Sequence, residues 1–231
     1  TDIATVFLDA GGVMITPNFL RFADALARRG IAVTAAALEA AEPRVKQALD
    51  HAPTIQATND TRRAYVYFDR ILELNGIGAS PATAEAIEEL VSFRDREGAW
   101  DVVAPGAADA LGRLRLAGLR LVVVSNSNGR VRRILRRTGI EPLVDLVFDS
   151  HEEGVEKPDP RFFEIALARS GADRAATIHC GDIYHIDIVG ARAAGLPAVM
   201  LDAADLYADA DCPRVRSLPE FTDRLLAGAF G

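Results

Sequence analysis

Hydrophobic positions along this chain follow two different rhythms. Val6, Phe7 and Leu8 form an unbroken apolar run, the pattern of a strand buried on both faces. The run stops at Asp9 and is followed by Gly11 and Gly12. From Thr16 to Gly98 the apolar spacing becomes helical, and no strand is expected there. Phe19, Phe22, Ala23 and Leu26 share one face of a helix from Asn18 to Arg29, which Gly30 stops. Thr34 is placed to cap a helix from Ala35 to Ala41, and Pro43 is expected to break or restart it. Asn59 or Asp60 opens a longer helix through Tyr65, Phe68, Ile71 and Leu72, and a further helix runs from Pro81 to about Phe93.

From Val102 onward strands and helices alternate. Ala107 to Ala117 reads as a helix and Leu119 to Val124 as a buried strand ending at Ser125-Asn126. A helix from Val131 to Thr138 follows, then a short strand from Leu146 to Phe148 and a helix from Asp159 to Ala168 with Pro160 in its first turn. Thr177 to Cys180 is a strand ending at Gly181-Asp182, followed by a helix to Ala194, a strand from Leu196 to Leu201 and a last helix from Leu218 to Leu226. This alternation predicts an α/β protein with a doubly wound parallel sheet. Residues 1–15 and 99–231 would form the α/β core, and residues 16–98 an inserted helical domain.

Four polar clusters fall where strands give way to loops: Asp9; Ser125 with Asn126; Lys157 with Pro158; and Gly181-Asp182 with Asp187. Singly, each reads as a turn or capping residue, or as a surface lysine. Together, at the carboxyl edge of a sheet, they supply a carboxylate that can attack, a hydroxyl and an ammonium that can neutralise an anion, and carboxylates for a hard cation. That set suits phosphoryl transfer.

Composition narrows the picture. Apolar residues make up 49% and charged residues 26% of 231 residues, which describes a folded globular protein with a sizeable core. A net charge of −7 argues against nucleic acid or an anionic membrane as partner. No apolar run is long enough to span a bilayer and no signal peptide is evident. Two cysteines, Cys180 and Cys212, fit a reducing cytoplasm. Of 26 basic residues only Lys46 and Lys157 are lysine, which singles out both positions. The arginines at 130, 132, 133, 136 and 137 read as a solvated helix face.

Over nearly its whole length the chain resembles the haloacid dehalogenase superfamily of hydrolases. VFLDAGGV is similar to its first motif, LVVVSNS to its second, EKPDPRFF to its third and HCGDIYHIDIVGARAAG to its fourth. Residues 16–98 match the small cap domain that this superfamily carries between motifs one and two. The resemblance implies a Rossmann-like core, with Asp9 as the nucleophile that forms an aspartyl-phosphate. Ser125 and the amide of Asn126 would bind phosphoryl oxygens, and Lys157 would pair with Asp9 and the phosphoryl group. Asp9, the carbonyl of Gly11 and Asp182 would hold Mg²⁺, supported by Asp187. The implied substrate is a small phosphorylated metabolite; oligomeric state stays open.

One position departs from the pattern. Phosphatases of this superfamily carry a second Asp two residues after the nucleophile, as general acid and base, and here Gly11 stands there, with Val13 where Thr is usual. Four readings follow. The first is a phosphatase that is slow or takes its acid from the cap, His185 or Tyr184. The second resembles phosphonoacetaldehyde hydrolase, with Lys46 forming a Schiff base. The third is a 2-haloacid dehalogenase, against which the acidic Asp182 and Asp187 weigh, since those enzymes need no metal. The fourth is a weakened member that binds a metabolite or a protein. Of the histidines, His179 is expected to be buried and hydrogen-bonded within its strand, and His151 to lie in the loop before Lys157.

Overall fold

The computed structural model describes residues 2–56, 59–91 and 99–230. Its strands are β1 (Thr5–Leu8), β2 (Ile15–Pro17), β3 (Trp100–Val103), β4 (Arg120–Ser125), β5 (Leu146–Asp149), β6 (Thr177–Gly181), β7 (Ala198–Leu201) and β8 (Arg214–Val215). Its α-helices are α1 (Phe19–Ala27), α2 (Ala35–Leu49), α3 (Ala52–Gln56), α4 (Asp60–Leu74), α5 (Pro81–Val91), α6 (Ala107–Leu116), α7 (Val131–Arg137), α8 (Ser150–Glu153), α9 (Pro160–Ser170), α10 (Val189–Ala193) and α11 (Leu218–Leu226). A π-helical stretch, Tyr184–Ile188, leads into α10. The chain divides into two compact units, Thr1–Thr16 with Val102–Gly231, and Pro17–Asp101.

In the first unit six strands form one parallel sheet in the order β5-β4-β1-β6-β7-β8. The buried apolar run of β1 lies in the interior of that sheet, where Leu8 is in register with Val123 of β4 and Cys180 of β6. Because side chains alternate along a strand, Phe7, Val122 and Val124 face one layer. There they pack with Phe162, Phe163 and Ala166 of α9 and with Ala191 of α10. Helices α6 and α11 pack on one another, and α6 also lies on β4. Chain order reverses at β1, which separates the β4-β5 wing from the β6-β7-β8 wing. The carboxyl end of such a switch point is where open α/β sheets bind ligands.

The second unit is built on helices α1 to α5. Phe22, Phe68, Tyr67, Ile71 and Leu90 form its core with Trp100 packed against them. Phe22 meets Phe68 edge-on at 5.1 Å between ring centroids. The aromatic residues at helical spacing, Phe19, Tyr67 and Phe68, are therefore packing residues here. Asn18 caps α1 by accepting the Arg21 amide at 2.9 Å, and Thr34 caps α2 by accepting the Ala37 amide at 3.1 Å.

Several local expectations change. Pro43 does not break α2, which runs through it to Leu49. A proline removes one N–H from the helical ladder, and Leu38 and Val45, both buried, hold the helix on either side of that gap. Strand β2 lies where only helix was expected, and β2 and β3 form a two-stranded sheet. Such short segments become strands by pairing with a distant partner, which local periodicity does not report. His151 lies in α8 and not in a loop. The expected end of the helix near Phe93 falls outside the described residues.

Candidate active site

Asp9 is the first residue beyond β1, and its amide donates to the Cys180 carbonyl of β6 at 2.9 Å. That bond continues the parallel ladder one residue past the strand and fixes the carboxylate at the edge of the sheet. The chain then turns sharply, with the Met14 and Ile15 amides both donating to the Ala10 carbonyl at 2.9 and 3.0 Å. Gly12 has φ of +73°, and a Cβ there would lie 1.8 Å from Oδ2 of Asp182. Only glycine allows this turn to pass so close to that carboxylate.

Across the β1/β6 pairing, Asp182 follows β6 and is buried. Asp187 lies one turn further, inside the π-helical stretch, and its Oδ2 accepts the amides of Asp182 and Ile183 at 3.1 and 3.0 Å. Its Oδ1 accepts Lys157 Nζ at 2.7 Å and faces His179 Nε2 at 3.0 Å. Four donors thus occupy the lone pairs of one carboxylate. Gly181 makes the packing possible, since a Cβ there would meet Asp187 Cγ at 2.1 Å.

Lys157 sits in the turn between α8 and α9 and is 1% exposed. Its ammonium also donates to Asp9 Oδ1 at 2.8 Å, so one buried cation bridges the two carboxylates. Burial would lower the lysine pKa, but the charges of Asp187 and Asp9 outweigh it and the group is held above its usual range. Asp187 responds in the opposite sense. Burial pushes it up, yet Lys157 and the His179 hydrogen bond bring it below the usual carboxylate range. Asp9 is pushed up to about 7, chiefly by burial, with Lys157 pulling down and the charges of Asp187 and Asp182 pushing up. His179 is fully buried and its pKa is lowered, mainly by desolvation. The network therefore assigns it as a neutral imidazole whose Nε2–H donates to Asp187.

Ser125 ends β4, next to β1, and is buried. The carboxamide of Asn126 reaches Lys157, with Nδ2 donating to the Lys157 carbonyl and Oδ1 accepting the Lys157 amide, both at 2.8 Å. Asp9, Ser125, Asn126, Lys157, Asp182 and Asp187 thus all belong to the first unit, at the ends of its strands or in the segments that follow them.

Other candidates are engaged elsewhere. The Tyr184 hydroxyl donates to Asp211 at 2.6 Å, and the His185 ring packs edge-on against Tyr184 at 5.3 Å. Lys46, in the helical unit, forms an ion pair with Glu42 at 3.1 Å, and Glu42 also accepts the Tyr67 hydroxyl at 3.1 Å. Of the arginine cluster, Arg136 and Arg132 pair with Glu141, at 2.7 and 3.7 Å.

Two supporting residues escaped the sequence reading. Asp149, at the end of β5, is 2% exposed and accepts the amides of Gly129, Val131 and His151 at 3.1, 3.3 and 3.0 Å. Ser150 accepts the Ser127 amide at 3.0 Å and donates to the Ser127 carbonyl at 3.1 Å. Together they hold the loop after β4. The signal was present, because Leu146, Val147 and Phe148 lead into Asp149 as Val6 to Leu8 lead into Asp9.

With this geometry in hand, the comparisons with known proteins converge. The family model of haloacid dehalogenase-like hydrolases matches residues 3–195, and the chain belongs to that family. It is 30% identical over 205 residues to haloacid dehalogenase-like hydrolase domain-containing protein 3 of Homo sapiens, covering 86% of this chain and 81% of that protein. It is 31% identical to the ribulose-1,5-bisphosphate 5-phosphatase of Halopiger xanaduensis over 64% of this chain and 62% of that enzyme. The glyceraldehyde 3-phosphate phosphatase of Methanothermobacter thermautotrophicus is 35% identical over 46% of this chain and 48% of its own. Among solved structures, the HAD hydrolase YfnB of Bacillus subtilis, bound to magnesium, superposes with a TM-score of 0.68 at 21% identity, covering 97% of this chain and 99% of that one. At that identity the likeness establishes the fold.

Proposed function

We propose that this hydrolase is a Mg²⁺-dependent phosphatase that acts on a small phosphorylated metabolite through an aspartyl-phosphate on Asp9. The observation that carries the reading is the position of Asp9: at the switch-point edge of the sheet, bonded to a buried lysine and grouped with two further carboxylates. Asp9, Asp182 and Asp187 each offer an oxygen, and these lie within 4.8 Å of one another. Burial first, and then the charges of Asp187 and Asp182, push Asp9 up to about 7 against the pull of Lys157, so the three carboxylates carry more negative charge than one ammonium balances. An all-oxygen, electron-rich site of this kind fits a hard divalent cation. Asp9, Asp182 and the Gly11 carbonyl would hold it, with Asp187 supporting from the same loop. When bound, Mg²⁺ supplies the positive charge that lets a dianionic phosphate approach an anionic nucleophile.

The chain's own groups account for the remaining steps. Lys157 favours the ionised form of Asp9 and orients it, and its charge would stabilise the phosphoryl group in flight. The Ser125 hydroxyl and the Asn126 amide would bind phosphoryl oxygens. Asp9 attacks phosphorus as the ester oxygen leaves, and water then cleaves the aspartyl-phosphate. Gly11 has no side chain to protonate the leaving group, and Tyr184 directs its hydroxyl to Asp211. Esters with good leaving groups should therefore react best. The helical unit would serve as the cap that excludes water. Both phosphatase relatives support this substrate class, and the ion-paired state of Lys46 weighs against a Schiff-base mechanism. Both cysteines are free thiols, which supports a cytoplasmic setting. Among the described residues no helix is long and apolar enough to cross a membrane.

The test is turnover of p-nitrophenyl phosphate and a panel of phosphate monoesters, with Mg²⁺ and with EDTA. Hydrolysis that needs Mg²⁺ and disappears in Asp9→Asn is expected. Activity that survives either change overturns the reading.

A further inference from the structure

Lys157 is fixed at both ends. Its ammonium is held by Asp9 and Asp187, and its backbone is held by one side chain 31 positions away in sequence. The Lys157 amide donates to Asn126 Oδ1 at 2.8 Å, and the Lys157 carbonyl accepts from Asn126 Nδ2 at 2.8 Å. Lys157 lies in a turn, outside any strand or helix, and Asn126 meets its donor and its acceptor together as a neighbouring strand would. A carboxamide is suited to this because it sets a donor and an acceptor side by side; a carboxylate has no donor, and a hydroxyl has one centre. The oxygen and nitrogen of Asn126 are assigned without ambiguity, since the amide needs an acceptor and the carbonyl a donor.

The clamp links two parts of the site that arise independently. Asn126 follows directly on Ser125, at the end of β4. Its loop is braced from the other side by Asp149 and Ser150, which take the amides of Gly129, Val131 and Ser127. Three hydrogen bonds thus tie that loop to Asp149 and Ser150, and whatever Asn126 holds is placed by it. We propose that the Asn126 side chain is a positioning residue: it sets where the Lys157 backbone lies, and so aims the Lys157 ammonium at Asp9. This role is separate from any phosphate contact made by the Asn126 backbone amide, which every substitution except proline retains. The inference rests on the hydrolase reading above for its catalytic consequence, but the clamp itself can be measured without activity.

The experiment compares Asn126→Ala, Asn126→Asp and Asn126→Gln with wild type in two readouts. The first is steady-state hydrolysis of p-nitrophenyl phosphate with Mg²⁺, together with inhibition by inorganic phosphate. A displacement of the lysine by about an ångström should lower kcat by about 10- to 100-fold. KM and the phosphate inhibition constant should change by a smaller factor than kcat, because the Asn126 amide and Ser125 remain and the displaced Lys157 is only one of the groups facing the phosphoryl oxygens. Asn126→Asp keeps the acceptor for the Lys157 amide and sets an oxygen against the carbonyl, so it should also lose kcat; Asn126→Gln keeps the carboxamide and should recover part of it. The second readout is hydrogen exchange at the Lys157 amide, which should be slow in wild type and fast in Asn126→Ala, with strand amides of β1 and β4 unchanged.

A kcat within threefold of wild type in a folded Asn126→Ala overturns the proposal. So does a rise in KM at constant kcat, which would make the side chain a substrate contact. If Asn126→Ala does not fold, the Asn126→Asp and Asn126→Gln pair decides by the same criteria. If wild type hydrolyses none of the esters, the proposed function fails by itself. The clamp then stands or falls on whether Lys157 amide protection depends on the Asn126 side chain.

Discussion

Lys157 Nζ and Asp187 Oδ1 lie 2.7 Å apart with both side chains 1% exposed, and the same lysine reaches Asp9 at 2.8 Å. A lysine this deeply buried is tolerated because two carboxylates surround it, and Asp187 is tolerated because four donors satisfy it. Removing either partner leaves an uncompensated charge. Lys157→Met should destabilise the core by about 3–5 kcal/mol, as for other broken buried pairs. Urea unfolding measures this. Adding Asp187→Asn to Lys157→Met should recover part of the loss, since it removes the orphaned charge; two independent, additive losses would contradict the coupling.

What the sequence disclosed and what it withheld divide along a physical line. Asp9, Ser125, Lys157 and Asp182 were legible because each stands beside an apolar run or in a short loop that follows one, and a sheet gathers such ends on one edge. The partners of those residues were not legible. Nothing local says that His179 faces Asp187, that Asn126 clamps a residue 31 positions away, or that Asp149 holds the loop after β4. These are choices of tertiary packing between segments distant in the chain. β2, β3 and β8 were missed for the same reason, being two to four residues long and defined by pairing. Pro43 shows the converse: a strong local signal was overridden by the buried residues on either side of it.

Gly12 offers a test of the site in which no candidate ligand is itself replaced. With φ at +73° and a virtual Cβ 1.8 Å from Asp182 Oδ2, Gly12→Ala must strain the turn or push the Asp182 carboxylate aside. The backbone strain alone should cost about 1–3 kcal/mol. The displacement of Asp182 should weaken Mg²⁺ binding by at least about tenfold, equivalent to about 1.4 kcal/mol. Calorimetric titration with Mg²⁺ reads this. A variant that folds and binds Mg²⁺ as wild type does would remove Asp182 from the proposed metal site.

The raised pKa of Asp9 sets a pH dependence whose sign can be worked out. In the unfolded chain Asp9 titrates near 3.8, and in the folded, metal-free protein near 7. Between those values the folded state holds the extra proton, so stability falls as pH rises from about 4 to 7 and levels off above. Asp187, whose pKa is lowered, acts only in more acidic solution, where its contribution is lost as pH falls. The difference in urea stability between wild type and Asp9→Asn, followed from pH 5 to 8 in EDTA, should isolate the first effect. Mg²⁺ must displace the same proton, so its apparent affinity should fall by about tenfold per unit below pH 7. An affinity independent of pH in that range would mean that Asp9 is already ionised without metal.

The last prediction concerns the missing acid. In the superfamily pattern that this chain resembles, the position of Gly11 carries an Asp that protonates the leaving group and then activates water. Here the turn after β1 presents glycine there, while Lys157 Nζ stays 2.8 Å from Asp9 Oδ1, as the proposed nucleophilic attack requires. On the phosphatase reading proposed above, the chemistry would be limited by leaving-group departure and by hydrolysis of the aspartyl-phosphate, the two steps that general acid–base catalysis accelerates, typically by about 10²–10⁴-fold. Gly11→Asp should raise kcat/KM, which reports the phosphorylation step, toward that range for esters with poor leaving groups, and much less for p-nitrophenyl phosphate, whose leaving group needs little protonation. Comparing the two substrate classes in wild type and Gly11→Asp separates a missing acid from any other cause of slow turnover. An equal gain on both classes, in kcat and not in kcat/KM, would place the defect in dephosphorylation alone. No gain on either would mean that another group in this chain already supplies the proton, and the search for it would move to the helical unit.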